Sequence, residues 1–149
     1  MCEYNKVIFV SKENLSKSPM AEWIFNSILM DKSKEICSRG LVVLFPEPMN
    51  PKVYDLLRLH GVPCGNHVSQ VLGAEEFQDD VLIITMNSIE KIKIAEEYGI
   101  SEHVYTLNEF VEEEGEVPDP YGGEEEEYEN CYIVMRDLLY KMKKKLNWR

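Results

Sequence analysis

No stretch of this sequence approaches the roughly 18 consecutive apolar residues that a bilayer-spanning helix needs. The N-terminus shows a short strand-like run in place of a basic region, apolar stretch and cleavage site, so a cytoplasmic location is expected. Cysteine is sparse. Cys2, Cys37, Cys64 and Cys131 show no CxxC or other metal-ligand spacing, and four are too few for a disulfide scaffold. Reduced thiols are expected, with no metal and no cofactor. Positive charge is missing from residues 109 to 129, which hold 11 of the 27 acidic residues. The remaining 16 acids balance the 16 Lys and Arg, so the formal net charge of -11 is a local feature. Nucleic acid and anionic membrane are not expected as partners, because both need a basic face. Solvated surface that also suits a helix start accounts for such a run without any function.

What is present suits one compact domain over residues 1–149, with 44% hydrophobic residues to build a single core. Lys6 to Val10 is a β-branched and aromatic run that predicts a strand. From Pro19 to Met30, Met20, Trp23, Ile24 and Ile28 recur at helical spacing, and Pro19 is favoured in a first turn. Ile36 to Ser38 predicts a second strand, and Asn50-Pro51 opens a helix that Gly61 stops. Val81 to Met86 is nearly all apolar, as in a central parallel strand covered on both faces. Ser88 is expected to cap a helix through Tyr98, with Gly99 as its stop. Val104 to Leu107 predicts a last strand, and Glu124 to Leu146 a long closing helix. Four short strands alternating with helices predict an α/β fold, a three-layer α/β/α sandwich on a four-stranded parallel sheet. Ligands of such sheets bind beyond the carboxyl ends of the strands, often at a helix N-terminus. The loop after the first strand, residues 11 to 18, is therefore the candidate site.

That loop reads Ser11-Lys12-Glu13-Asn14-Leu15-Ser16-Lys17-Ser18 before Pro19-Met20-Ala21-Glu22. It resembles the signature Cys-x-Gly-Asn-x-Cys-Arg-Ser-Pro-Met-Ala-Glu of the low-molecular-weight protein tyrosine phosphatases. Ser38-Arg39-Gly40, Asn66-His67-Val68-Ser69, Thr85-Met86 and Asp119-Pro120-Tyr121-Gly122-Gly123 are similar to further family segments, in order. The resemblance implies the phosphotyrosine phosphatase I-like fold. It places Ser11 at the nucleophile, Lys17 at the phosphate-gripping arginine and Asp119 at the general acid. It also places Glu13 at a glycine, Ser16 at a second cysteine, and Tyr121 on the aromatic wall for a phosphotyrosine ring. Lys12, Glu13, Asn14, Leu15, Ser16, Lys17 and Ser18 would surround the phosphate, with His67 and Ser69 bracing the loop. Read without the family, Asp119 is a turn aspartate before proline and Tyr121 a loop-stiffening ring.

The departures change the chemistry. A serine hydroxyl lacks the anionic population of a low-pKa thiolate and needs a dedicated base, which His60, His67 and His103 do not obviously supply. Lys17 keeps the charge of arginine but loses its two-pronged grip. Glu13 adds bulk and negative charge where a dianion would sit. The leading expectation is a catalytically impaired relative of these phosphatases that binds a phosphotyrosine protein or a phosphate or sulfate anion. An active hydrolase using Ser11 with Lys12 or Lys17 as base, and Asp119 as acid, is the alternative. A closed pocket pairing Glu13 with Lys17 is another, while arsenate reduction is excluded by Ser11. Cys131 is expected in the core.

Overall fold

The computed structural model describes residues 3–120 and 123–149, so the aromatic-wall assignment of Tyr121 lies outside the described residues. Four strands, β1 (Lys6–Ser11), β2 (Glu35–Gly40), β3 (Val81–Thr85) and β4 (Val104–Thr106), form one parallel sheet in the order β2-β1-β3-β4. Between them run α1 (Lys17–Ile28), α2 (Pro51–Leu59) and α3 (Ser88–Tyr98), followed by α4 (Leu107–Phe110) and α5 (Glu125–Leu146). The expected α/β sandwich is what the chain adopts. No helix among the described residues is long and apolar enough to cross a membrane.

Alternation along the strands divides the core in two, because successive side chains leave opposite faces of a sheet. Val7 and Phe9 of β1, with Leu82 and Ile84 of β3, pack under α1, α2 and α5. Ile8 and Val10, with Val81 and Ile83, pack under α3 through Ile94. Burying each such side chain contributes roughly 1.5–3 kcal/mol, so the central strands anchor everything that projects from their ends. Register sets those ends level: Val10 lies opposite Arg39 of β2 and Thr85 of β3. The residues that follow, Ser11, Gly40 and Met86, therefore emerge together at one edge.

Several boundaries differ from the sequence expectation. Helix α1 begins at Lys17, two residues before Pro19, and ends at Ile28. Asn87, not Ser88, caps α3: its side chain accepts from Glu90 N at 2.9 Å, while Glu90 Oε1 accepts from Asn87 N at 3.3 Å. Leu107 opens α4 instead of ending β4, because Thr106 and Glu109 make a reciprocal cap that turns the chain. Asn50 caps α2 by accepting from Lys52 N at 2.9 Å, and Gly99 ends α3 at φ 67°, as anticipated.

Candidate functional site

Strand β1 delivers Ser11 to the sheet edge, and the chain turns through residues 12–16 into the N-terminus of α1. Asn14 makes that turn possible. It adopts φ 61°, a left-handed conformation that asparagine tolerates better than most residues. It is also fully buried, and its polar groups are all engaged. Its backbone N–H donates to Ser11 Oγ at 3.2 Å, and its Nδ2 donates to Ser18 Oγ and Ser38 Oγ, both at 2.9 Å. Its Oδ1 accepts from Gln70 N at 3.1 Å, and its carbonyl accepts from His67 Nε2 at 2.7 Å. The last bond requires the proton of a neutral His67 ring on Nε2, and burial pushes this imidazole below its usual pKa.

The network continues inward. Ser38 donates to Glu22 Oε1 at 2.6 Å, and burial raises the Glu22 carboxyl above its ordinary range. Gly40 closes the floor: a Cβ there would stand 2.8 Å from Val43 Cγ2 and 3.0 Å from Asn14 Cβ. His67 braces the loop as the resemblance implies. Ser69 does not reach it: its hydroxyl accepts from Glu47 N at 2.9 Å, and the neighbouring Gln70 makes the loop contact instead.

Ser11 is 5% exposed and its Oγ lies 2.5 Å from Ser18 Oγ. Each hydroxyl also accepts from Asn14, Ser18 from Nδ2 and Ser11 from the backbone N–H, and either can donate to the other. Neither partner of Ser11 is a base. His60 pairs with Glu129 at 2.7 Å, His103 meets Tyr4 OH at 2.8 Å, and His67 is committed to the loop carbonyl. Lys12 is exposed and Lys17 half-buried, and neither bonds to Ser11.

Lys17 stands among acids. Its charge stabilises the carboxylates of Glu90 and Glu116, and it acts with Asp119, in opposite sense, on the Cys131 thiol. Thus Ser11, Lys17 and Asp119 gather at one end of the sheet. Val117 N donates to Met86 O, at 3.4 Å, and ties the Asp119 segment there. Glu90 itself is 5% exposed and accepts from Met86 N at 2.9 Å, next to where β1 ends. Burial raises its pKa, partly offset by the Met86, Asn87 and Lys12 amides and by Lys17.

Glu13 departs from expectation. Its side chain is exposed and lines a hollow of about 140 Å³ with Val43, Phe45 and Ser69, outside the loop. Among the described residues no ion pair joins Glu13 to Lys17, so the closed pocket is not formed. Leu15 and Ser16 are half-buried and hold the outer side of the loop through Asn50, whose N donates to Leu15 O at 2.9 Å and whose Nδ2 donates to Ser16 Oγ at 3.2 Å. Cys131 is fully buried, and burial pushes its thiol up to about 12. That is core behaviour, as expected. Among the described residues no three His, Cys, Asp or Glu side chains converge as a metal site would. Ser38, Glu22, Gln70, Asn50 and Glu90 were not singled out in the sequence. Ser38 and Glu22 carried a signal there, through the Ser-Arg-Gly segment and the end of the loop signature, and Asn50 only as the start of a helix.

A family model for low molecular weight phosphotyrosine protein phosphatase matches residues 6–149. The protein-tyrosine-phosphatase PtpB of Staphylococcus aureus is 33% identical over 142 residues, covering 93% of this chain and 96% of that protein. A crystal structure of a mutant YwlE from Bacillus subtilis is 30% identical with a TM-score of 0.86, covering 95% of this chain and 98% of its own. A cysteine-to-serine mutant of the YwlE arginine phosphatase, with a phosphorylated active site serine, is 32% identical, with a TM-score of 0.85 and 95% coverage of both chains.

Proposed function

The chain belongs to the low molecular weight phosphotyrosine protein phosphatase family, and from that premise we propose that it binds a phosphorylated protein at residues 11–18 without turning it over. The observation that carries this reading is the surroundings of Ser11: its hydroxyl meets Ser18 Oγ and Asn14 N, and no base. General acid–base assistance is worth about 10²–10⁴-fold, and an unassisted hydroxyl at neutral pH forgoes it. Binding makes weaker demands. The Asn14 network keeps the loop curled at the N-terminus of a 12-residue helix, which favours an anion. A neutral hydroxyl at the base of the loop also repels a dianion less than a thiolate would. Lys17 supplies charge without the guanidinium fork, so affinity is modest. The ligand class is a phosphotyrosine protein, with inorganic phosphate or sulfate as weaker anions of the same site.

A second reading is favoured by the phosphorylated serine in the YwlE mutant. Ser11 would accept one phosphoryl group and keep it. Its Oγ attacks phosphorus, the bond from phosphorus to the leaving atom breaks, and the hydroxyl proton ends on that leaving atom, relayed through Asp119. The product is a phosphoserine ester, which persists because a serine oxygen is a poorer leaving group than a thiolate sulfur.

One set of measurements separates these readings. Purified protein is expected to release no p-nitrophenol from p-nitrophenyl phosphate above the buffer rate, and to keep its unmodified mass. Gain of one phosphoryl group, lost in Ser11→Ala, would establish the second reading. Turnover typical of active relatives, abolished in Asp119→Ala, would overturn both. Stepwise reversion, Ser11→Cys, then with Lys17→Arg, then with Glu13→Gly, is expected to restore turnover once cysteine and arginine are both present. Glu13 should add little, since its side chain lies outside the loop.

A further inference from the structure

Beside the phosphate loop, α2 and the start of α5 enclose a groove of about 660 Å³. Its apolar lining is the buried Leu56 and Tyr128 together with Leu59, which is 80% exposed. The rest of its lining is mostly acidic: Asp55 from α2, and Glu124, Glu125, Glu126 and Glu129 from the start of α5. Lys52 is the lone cation of the lining, and its ammonium lies 5.6 Å from the centre of the Tyr128 ring. Glu129 alone among these acids is engaged, with His60 at 2.7 Å. Favourable placement at a helix N-terminus accounts for carboxylates on the first turn of α5. It accounts neither for Asp55, which sits on another helix, nor for an exposed leucine among the lining residues.

The groove and the loop share a wall. Asn50 Nδ2 donates both to Ser16 Oγ of the loop, at 3.2 Å, and to Tyr128 OH of the groove, at 3.3 Å. A peptide whose phosphate enters the loop would lay its neighbouring residues along the groove, advancing about 3.3–3.6 Å per residue in an extended form.

We infer that this groove docks an arginine- or lysine-rich segment of the phosphorylated partner, an assignment that rests on the binding role given above to the loop. Charge complementarity selects the occupant. Long basic side chains bury their methylene stems on apolar surface and keep the charged head among carboxylates, and guanidinium groups also stack on tyrosine. An acidic segment would meet the charge of the lining and be excluded. The arrangement gives four of the 11 acids of residues 109–129 a role. It turns a weak anion loop into one part of a two-point site, in which the basic segment supplies the affinity that Lys17 does not.

The test uses four fluorescent peptides, phosphotyrosine or tyrosine at the centre, flanked by arginines or by alanines, titrated against the whole chain by anisotropy. The arginine flanks are expected to tighten binding at least tenfold, with or without the phosphate, and added salt should erode that gain. Asp55→Asn with Glu125→Gln and Glu126→Gln should remove most of it and leave the phosphate preference unchanged. Salt dependence on the unaltered protein keeps the test valid if this variant folds poorly. Phosphopeptides that bind equally whatever their flanks would overturn the groove and leave the loop reading standing. An arginine preference with no phosphate preference would support the groove and overturn the loop reading. Absence of both preferences would overturn both. Self-association on sedimentation that the triple variant abolishes would place a second copy in the groove and overturn the partner assigned here.

Discussion

Asn14 joins three parts of the molecule through one side chain: Ser18 on α1, Ser38 on β2 and Gln70 in the segment before β3. Each of these bonds is worth about 0.5–1.5 kcal/mol net, and an alanine at φ 61° adds about 1–2 kcal/mol of backbone strain. Asn14→Ala should therefore destabilise the fold by about 3–5 kcal/mol, and Asn14→Gly, which relieves the strain, by less. Urea denaturation checks both values, and an alanine variant within about 1 kcal/mol of the parent would show that the network carries little. The loop itself was legible because its residues are consecutive and match a family pattern. Its supports were legible only in part: His67 was, whereas Ser38 and Gln70 lie 24 and 56 residues away and reach Asn14 only after the sheet has formed. The misplacement of Ser69 has the same origin. It and Gln70 are adjacent, and the contact to Asn14 is made by the Gln70 backbone N–H, which no residue identity signals.

At the scale of elements, the strands and long helices were readable because apolar periodicity is a property of many residues at once. Val81–Thr85 is buried throughout and has no competing reading. Short elements lack that averaging. Helix α4 spans four residues, too few for a helical stripe, and its Thr106-x-x-Glu109 cap was the only local sign. At α3 two capping residues stand side by side, and the choice depends on backbone geometry. Asn87 is extended, at φ -147° and ψ 171°, whereas Ser88 is already helical and its N–H and hydroxyl both donate to Glu116 Oε2, at 2.6 and 2.8 Å. Truncation distinguishes the two. Asn87→Ala is expected to cost about 1–2 kcal/mol, as lost caps do, and Ser88→Ala well under 1 kcal/mol, because its partner is exposed. Equal losses in thermal unfolding would return the cap to Ser88.

Over the whole molecule, the net charge of -11 and two shielded carboxyls, the half-buried Glu22 and the buried Glu90, act in the same direction on stability. Self-repulsion of excess negative charge destabilises a compact chain, and it eases as acids take up protons. Glu22 and Glu90 reinforce this. Burial raises both pKa values above that of an unfolded glutamate, about 4.3, so the folded chain holds these protons more tightly than the unfolded chain does. Their contribution to stability is therefore fully present below about pH 4.3 and is lost as pH rises through the raised folded values. Glu116 works the other way: hydrogen bonds from the Ser88 N–H and hydroxyl lower its pKa, so its smaller contribution is lost on acidification. It is exposed and weakly coupled to folding, whereas Glu22 and Glu90 are shielded from solvent screening. The midpoint of thermal unfolding should consequently rise as pH falls from about 8 towards 5. In Glu22→Gln with Glu90→Gln, which keeps the acceptor oxygens for Ser38 and the Met86 N–H, that rise should flatten. The gain should appear at pH 8 and vanish at acid pH, which separates charge removal from a general repacking effect. A variant whose midpoint stays parallel to the parent across this range would show that surface repulsion alone sets the dependence.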